Sequence, residues 1–95
     1  MIRSFGDRLT EDLYHGRRSR SVQRLPGPLV KGILRKLDMI EAALRLEDLR
    51  SPPGNRLESL TGDLKGWCSI RVNDQWRIIF RWDGAAEEVK LADYH

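Results

Sequence analysis

Cysteine occurs once in the chain, at Cys68. A single thiol excludes an internal disulfide and any cysteine-built metal site, and it points to a reducing, cytoplasmic setting in which Cys68 is a small buried apolar side chain. Histidine is nearly as scarce. His15 and His95 stand far apart with no His-x-x-x-His pair, so no metal-ligand spacing exists and no metal site is expected. No Gly-rich phosphate loop of the Walker or dinucleotide type occurs, and no cofactor is expected. No apolar run approaches the roughly 20 residues of a membrane helix, so no membrane partner is expected. The start, Met1-Ile-Arg-Ser-Phe-Gly-Asp, lacks the apolar stretch of a signal peptide. A length of 95 residues leaves room for one modest core, so a single domain over 1–95 is expected.

Arginine is abundant by contrast: it makes up 13 of the 17 basic residues. The charge is also uneven. Residues 1–36 carry nine basic and three acidic side chains, whereas residues 83–95 carry one and four. Arginine suits planar, forked contact with phosphate and carboxylate, so a polyanion or an acidic protein is the expected partner, against the plainer alternative of a solvated basic surface.

The stretch that organises the chain is Gly66 to Trp82, GWCSIRVNDQWRIIFRW. Two alternating runs, Trp67 to Val72 and Trp76 to Trp82, flank Asn73, Asp74 and Gln75, which is a hairpin signal. A slip of one residue would turn every side chain to the opposite face. A two-residue loop would set Arg71 against Trp76 and Ile70 against Arg77. A three-residue loop pairs Val72 with Trp76, Ile70 with Ile78 and Cys68 with Phe80. The second register segregates an apolar face from one bearing Trp67, Ser69, Arg71, Arg77, Ile79 and Arg81, and it is the one expected.

In chain order, Met1 to Phe5 is expected as a short strand and Asp7 to His15 as a short helix. Residues 16–25 are basic and non-periodic, hence an expected mobile Arg-rich loop that could contact nucleic acid or order on a partner. Leu29, Ile33, Leu34, Leu37, Ile40 and Leu44 recur at three and four residues and predict the main helix, running to about Leu46. Pro52-Pro53-Gly54 forces a turn, after which Asn55 to Leu60 reads as a strand. Glu88 to Ala92 is the expected last strand, with Val89 and Leu91 inward. The fold class is therefore α+β: a short N-terminal strand and two helices packed on one face of a largely antiparallel twisted sheet. The helices need the apolar sheet face, which leaves the arginine face open as the binding surface.

That face would carry Arg71, Arg77 and Arg81 with Arg56 and Lys65 nearby, and the chain ends in Asp93-Tyr94-His95. These residue types suit metal-free RNA cleavage. A ribose 2′-OH must lose its proton and attack the adjacent phosphorus in line, and the departing 5′ oxygen must gain a proton. A positioned acid or base contributes roughly 10²–10⁴-fold, a role open to His95 or Tyr94. Fixed cations meet the charge on the phosphoryl oxygens, and Trp67 could stack on a splayed base. The plain alternative for a terminal histidine is disorder.

The run Leu49-Arg-Ser-Pro-Pro-Gly-Asn-Arg-Leu-Glu, then Leu60-Thr-Gly-Asp-Leu-Lys-Gly, Ser69-Ile-Arg-Val-Asn, Gln75-Trp-Arg-Ile-Ile-Phe-Arg-Trp and the closing Asp93-Tyr-His resembles the HigB toxins of the RelE/ParE superfamily. The resemblance spans essentially the whole chain. It implies a RelE-like fold and a type II toxin that enters the ribosomal A site and cuts mRNA without metal. It also implies a HigA-type helix-turn-helix antitoxin partner, the pair repressing its own operon at operator DNA. By the same resemblance Arg77 would stabilise the scissile phosphate, and His95 with Tyr94 and Asp93 would supply proton transfer. Arg71 and Arg81 follow from the facing argument instead.

One departure stands out. Some members carry Lys where this chain has Thr61, and Lys65 could take over that charge. Continuing the last strand inward from Val89 and Leu91 also sends Asp93 and His95 to the covered face, unless a bulge re-aims the end or His95 lies past the sheet edge. Two other functions stay open: a ParE-like protein that inhibits DNA gyrase without cutting, and a basic antitoxin- and nucleic-acid-binding module without activity.

Overall fold

The computed structural model describes residues 1–93. Asp7 sets the first element: its carboxylate accepts from the Thr10 amide at 2.8 Å and caps α1, Arg8–Tyr14. Within the expected loop 16–25 a short helix forms, α2 (Arg20–Gln23), because the Ser19 hydroxyl accepts from the Val22 amide and caps it. The main helix α3 spans Gly27–Ala42, with Pro28 in the first turn where its missing N–H costs nothing. It ends earlier than its apolar stripe predicts, and Leu44 is 86% exposed. The Asp48 carboxylate captures the amides of Leu44 and Arg45 at 3.0 Å each and starts a short 3-10 helix, Leu46–Arg50. That local capture outcompetes continuation of the stripe.

Four strands follow: β1 (Glu58–Ser59), β2 (Trp67–Arg71), β3 (Trp76–Trp82) and β4 (Ala86–Asp93), antiparallel in the order β1-β2-β3-β4. The hairpin register is the one the alternation predicts, with Cys68 opposite Phe80 and Ile70 opposite Ile78. The Val72 amide donates to the Trp76 carbonyl at 2.9 Å, closing a loop of Asn73, Asp74 and Gln75. Asn73 fixes that loop by accepting from the amides of Gln75 and Trp76 at 2.9 and 2.8 Å.

Two expected strands shrink. The N-terminal one survives as two isolated parallel bridges to β4, Ile2 with Ala86 and Phe5 with Val89. The strand expected over 55–60 keeps only two residues. Asn55 is fully buried instead, closing a 3-10 turn, Pro53–Asn55, and Arg56 turns left-handed at φ 46°. The Asn55 amide donates to the carbonyl of Leu49 at 3.1 Å, and its Oδ1 accepts from the Lys36 ammonium. Burial of those polar groups beats the strand propensity of the segment.

The core lies between α3 and the covered sheet face, where Ile33, Leu37 and Ile40 meet Ile70, Ile78, Phe80 and Val89. A smaller apolar cluster of Leu60, Trp67 and Ile79, with Ala92 against it, sits on the opposite face. The outer edge of β4 is closed by the N-terminal segment and α1, where Thr10 Oγ1 accepts from the Leu91 amide at 3.0 Å. Gly6 permits this approach, since a Cβ there would stand 2.6 Å from the Glu88 carbonyl oxygen.

Candidate functional site

Strand pairing places Arg77 directly opposite Arg71 on the face away from the helices. Like charges so placed repel, and each guanidinium turns to a different anion. Arg77 is tightly held, with a side chain only 12% exposed. It donates to Ser69 Oγ at 3.2 Å and to Glu58 Oε1 at 3.5 Å. Arg71 folds back onto the hairpin loop, donating from Nε to the Asn73 carbonyl at 3.2 Å and pairing with Asp74. The arginine face is therefore partly neutralised, and the acidic partners Glu58 and Asp74 were not among the residues the sequence singled out. Asp74 stands three residues from Arg71, a local signal that could have found it. Glu58 reaches Arg77 only through β1–β2 pairing.

Arg81 shares the face but not the neighbourhood. Four residues along a strand amount to about 13 Å. It pairs with Glu88 at 3.2 Å and lies over the Trp67 ring at 5.1 Å, while the Lys90 ammonium lies 5.3 Å from the same ring. Trp67 is thereby 9% exposed. The expected base-stacking surface is covered, and a base could reach it only by displacing Arg81 or Lys90. Lys90 was legible in principle, because inward Val89 and Leu91 turn it outward.

Lys65 and Thr61 border one open depression of about 560 Å³ that Trp67 and Cys68 also line. A short 3-10 turn, Gly62–Leu64, lies between Thr61 and Lys65. Arg56 is exposed at its left-handed position ahead of β1, its amide donates to the Pro53 carbonyl at 3.1 Å, and its side chain makes no hydrogen bond or ion pair among the described residues. Cys68 is buried as expected. Burial pushes its thiol up, against a weaker opposing hydrogen bond from Ser59.

At the chain end, Asp93 lies opposite Trp76 and accepts from Gln75 Nε2 at 3.3 Å. The residue opposite Arg77 is Ala92. A register shift does occur in β4, but beside Glu88 (φ 53°), ahead of Val89 and Leu91. It therefore leaves the parity of Leu91 and Asp93 unchanged. Tyr94 and His95, the other two candidates for proton transfer, lie outside the described residues.

Residues 3–95 match the family described as the RelE-like toxin of type II toxin–antitoxin system HigB. Toxin HigB-1 of Vibrio cholerae serotype O1 is 46% identical over 87 residues, covering 90% of each chain. Among solved structures, the YoeB–YefM complex from Staphylococcus aureus is similar with a TM-score of 0.63 at 22% identity, over 100% of this chain and 95% of that one. The YoeB dimer from the same organism has a TM-score of 0.59 at 24% identity, over 99% and 94%. At those identities the structures speak to fold alone, while the family match and the Vibrio relative carry the assignment. The α+β chain with its arginine-bearing sheet face belongs to the HigB family of RelE-like toxins of type II toxin–antitoxin systems.

Proposed function

We propose that this toxin is an endoribonuclease that cuts messenger RNA in the ribosomal A site, without a metal ion. The observation that carries the reading is Arg77: a guanidinium on the helix-free face, pinned in place by Ser69 and Glu58. A fixed cation stabilises charge that develops on a phosphoryl oxygen without reorganising at the moment of reaction. In this reading the scissile phosphate joins Arg77, and the 2′-oxygen attacks the adjacent phosphorus in line. Tyr94 and His95 serve the proton transfers that the attack and the departing 5′ oxygen require, while Asp93, opposite Trp76 and so on the other face of the sheet from Arg77, supports that chain end rather than the proton path. Arg71, Arg81, Lys65 and Arg56 steer and hold the RNA backbone, and Trp67 serves only once uncovered.

The same reading gives the toxin a HigA-type helix-turn-helix antitoxin, and the pair a role at operator DNA. Both rest on family membership rather than on geometry. The cytoplasm is the corresponding location. In-vitro translation followed by primer extension tests the activity. Wild-type toxin is expected to cut ribosome-bound mRNA, and Arg77→Ala to lower cutting by about 10²- to 10³-fold with a stability change below about 2 kcal/mol. Removal of His95 should also depress cutting. Intact mRNA with wild-type toxin would sink the proposal, and inhibition of gyrase supercoiling in its place would point to a ParE-like action.

A further inference from the structure

At the end of the open face remote from the hairpin loop, Trp67 stands opposite Arg81 in the β2–β3 pairing. Arg81 covers the indole at 5.1 Å and Lys90 lies 5.3 Å from the same ring, which leaves the residue 9% exposed. Arg81 is in turn held by Glu88 at 3.2 Å. Glu88 sits in a β-bulge: two steps along β3, from Ile79 to Arg81, are matched by three along β4, from Lys90 to Glu87. The bulge puts Glu88 at φ 53°, a left-handed conformation that residues with side chains seldom take. The N-terminal segment pins it there. The Glu88 amide donates to Ser4 Oγ at 2.9 Å, and the Val89 amide to the Ser4 carbonyl at 3.1 Å. Backbone outliers held by their surroundings cluster at functional sites, and the cutting chemistry proposed above makes no use of this one.

Beside the capped ring lies room for a ligand. Trp67 lines the depression of about 560 Å³ together with Gly66, Lys65 and Thr61, and a Cβ on Gly66 would stand 3.9 Å from Arg81 Nη1. The guanidinium thus borders both the ring and the depression. The ion pair that keeps it there is weak, since the Arg81 and Glu88 side chains are 50% and 54% exposed. A phosphodiester offers the guanidinium a forked, charge-assisted contact in its place. Lys90, which makes no ion pair among the described residues, adds a second cation.

We propose that Trp67, Arg81 and Lys90 form a nucleotide subsite for the RNA strand flanking the cut, closed at rest by a latch that Glu88 provides. An RNA phosphate draws Arg81 off the ring, and the freed indole stacks on that nucleotide's base, for which the adjoining depression leaves space. The inference rests on the endoribonuclease reading and adds a site about 13 Å along β3 from Arg77, with Glu88 as a positioning residue acting through Arg81. An acidic peptide would satisfy the two cations but not the ring. A nucleotide carries an anion and a stacking plane in one unit.

The full-length variant Glu88→Gln tests this against Glu87→Gln, which removes an equal charge from the neighbouring residue, one paired with Arg3 instead. Acrylamide quenching of tryptophan fluorescence reads the ring, with Trp67→Leu counterparts of each toxin to subtract the signal of Trp76 and Trp82. Trp67 should be quenched roughly twice as strongly in Glu88→Gln as in wild type once the cation leaves its face, and no more strongly in Glu87→Gln. On mRNA-programmed ribosomes Glu88→Gln should lower KM about two- to fivefold, the scale of one exposed ion pair, with kcat unchanged. Trp67→Leu should raise KM about tenfold. Equal quenching in the two glutamine variants would overturn the latch, and so would a KM that falls alike in both, which is an effect of bulk charge. Stronger quenching with an unchanged KM would make the pair a mere brace on the ring and overturn the subsite, as would a Trp67→Leu toxin that melts like wild type and keeps its KM. Ribosome-bound mRNA left intact by the wild-type toxin would sink the endoribonuclease reading instead, and the quenching comparison would still decide the latch.

Discussion

Thr61 is the residue where this toxin departs from the pattern that some of its family carries. Thr61 and Lys65 border the same depression, so a lysine restored at 61 would add a second cation to a space that already holds one. Thr61→Lys is expected to raise the rate of mRNA cutting by up to about tenfold, within the range of one added charge contact. A time course of primer-extension products measures it, and an unchanged rate would mean that Lys65 already supplies the charge or that neither residue meets RNA. Lys36 is a different kind of outlier, an ammonium 6% exposed in the core with an amide oxygen for its partner. Burial first, then the positive charges of Arg35 and Arg71, lowers its pKa below the usual lysine range. The unfolded chain therefore keeps this proton over a pH window in which the folded chain has lost it, and stability rises with pH across that window. Urea unfolding of wild type and Lys36→Met between pH 8 and 10 should show the rise in the wild type alone.

At the scale of elements, the hairpin is held by its own alternation and by Asn73, while β4 depends on partners distant in sequence. Thr10 lies 81 positions from Leu91, yet its hydroxyl satisfies the Leu91 amide at a buried edge. Thr10→Val keeps the shape and leaves that donor unpaired, at a cost of about 1–3 kcal/mol by denaturant titration. A cost near zero would mean that water replaces the hydroxyl. The hairpin also separates two aromatic residues that look equivalent in sequence. Phe80 is fully buried, whereas Trp76 is half-buried at the hairpin tip. Phe80→Ala should cost about 3–5 kcal/mol, and Trp76→Ala distinctly less because it leaves no closed cavity. A Trp76 cost equal to that of Phe80 would show that the hairpin tip is part of the cooperative core.

Across the whole molecule, the sheet divides the charge between two surfaces of different character. One bears arginines matched one by one to Glu58, Asp74 and Glu88. The other bears the basic stretch around α2 and the start of α3, free of acidic residues. Association with the ribosome should weaken steeply as salt rises from about 50 to 200 mM, because phosphate contacts release counterions. Sedimentation binding measures this, and a flat response would argue against a phosphate-borne interface. The hairpin register, the placement of α3 and the common face of Arg71, Arg77 and Arg81 were all legible in the sequence, because the period of apolar residues and the turn chemistry of Asn73 are written by near neighbours. The same local logic gave Asn55 to a strand and carried the α3 stripe through Leu44. What only the tertiary structure decided is which anion each arginine meets and how Trp67 comes to be covered by Arg81 and Lys90. Those outcomes depend on strand pairing and packing between segments far apart in the chain, and no periodicity within a segment records its distant partner.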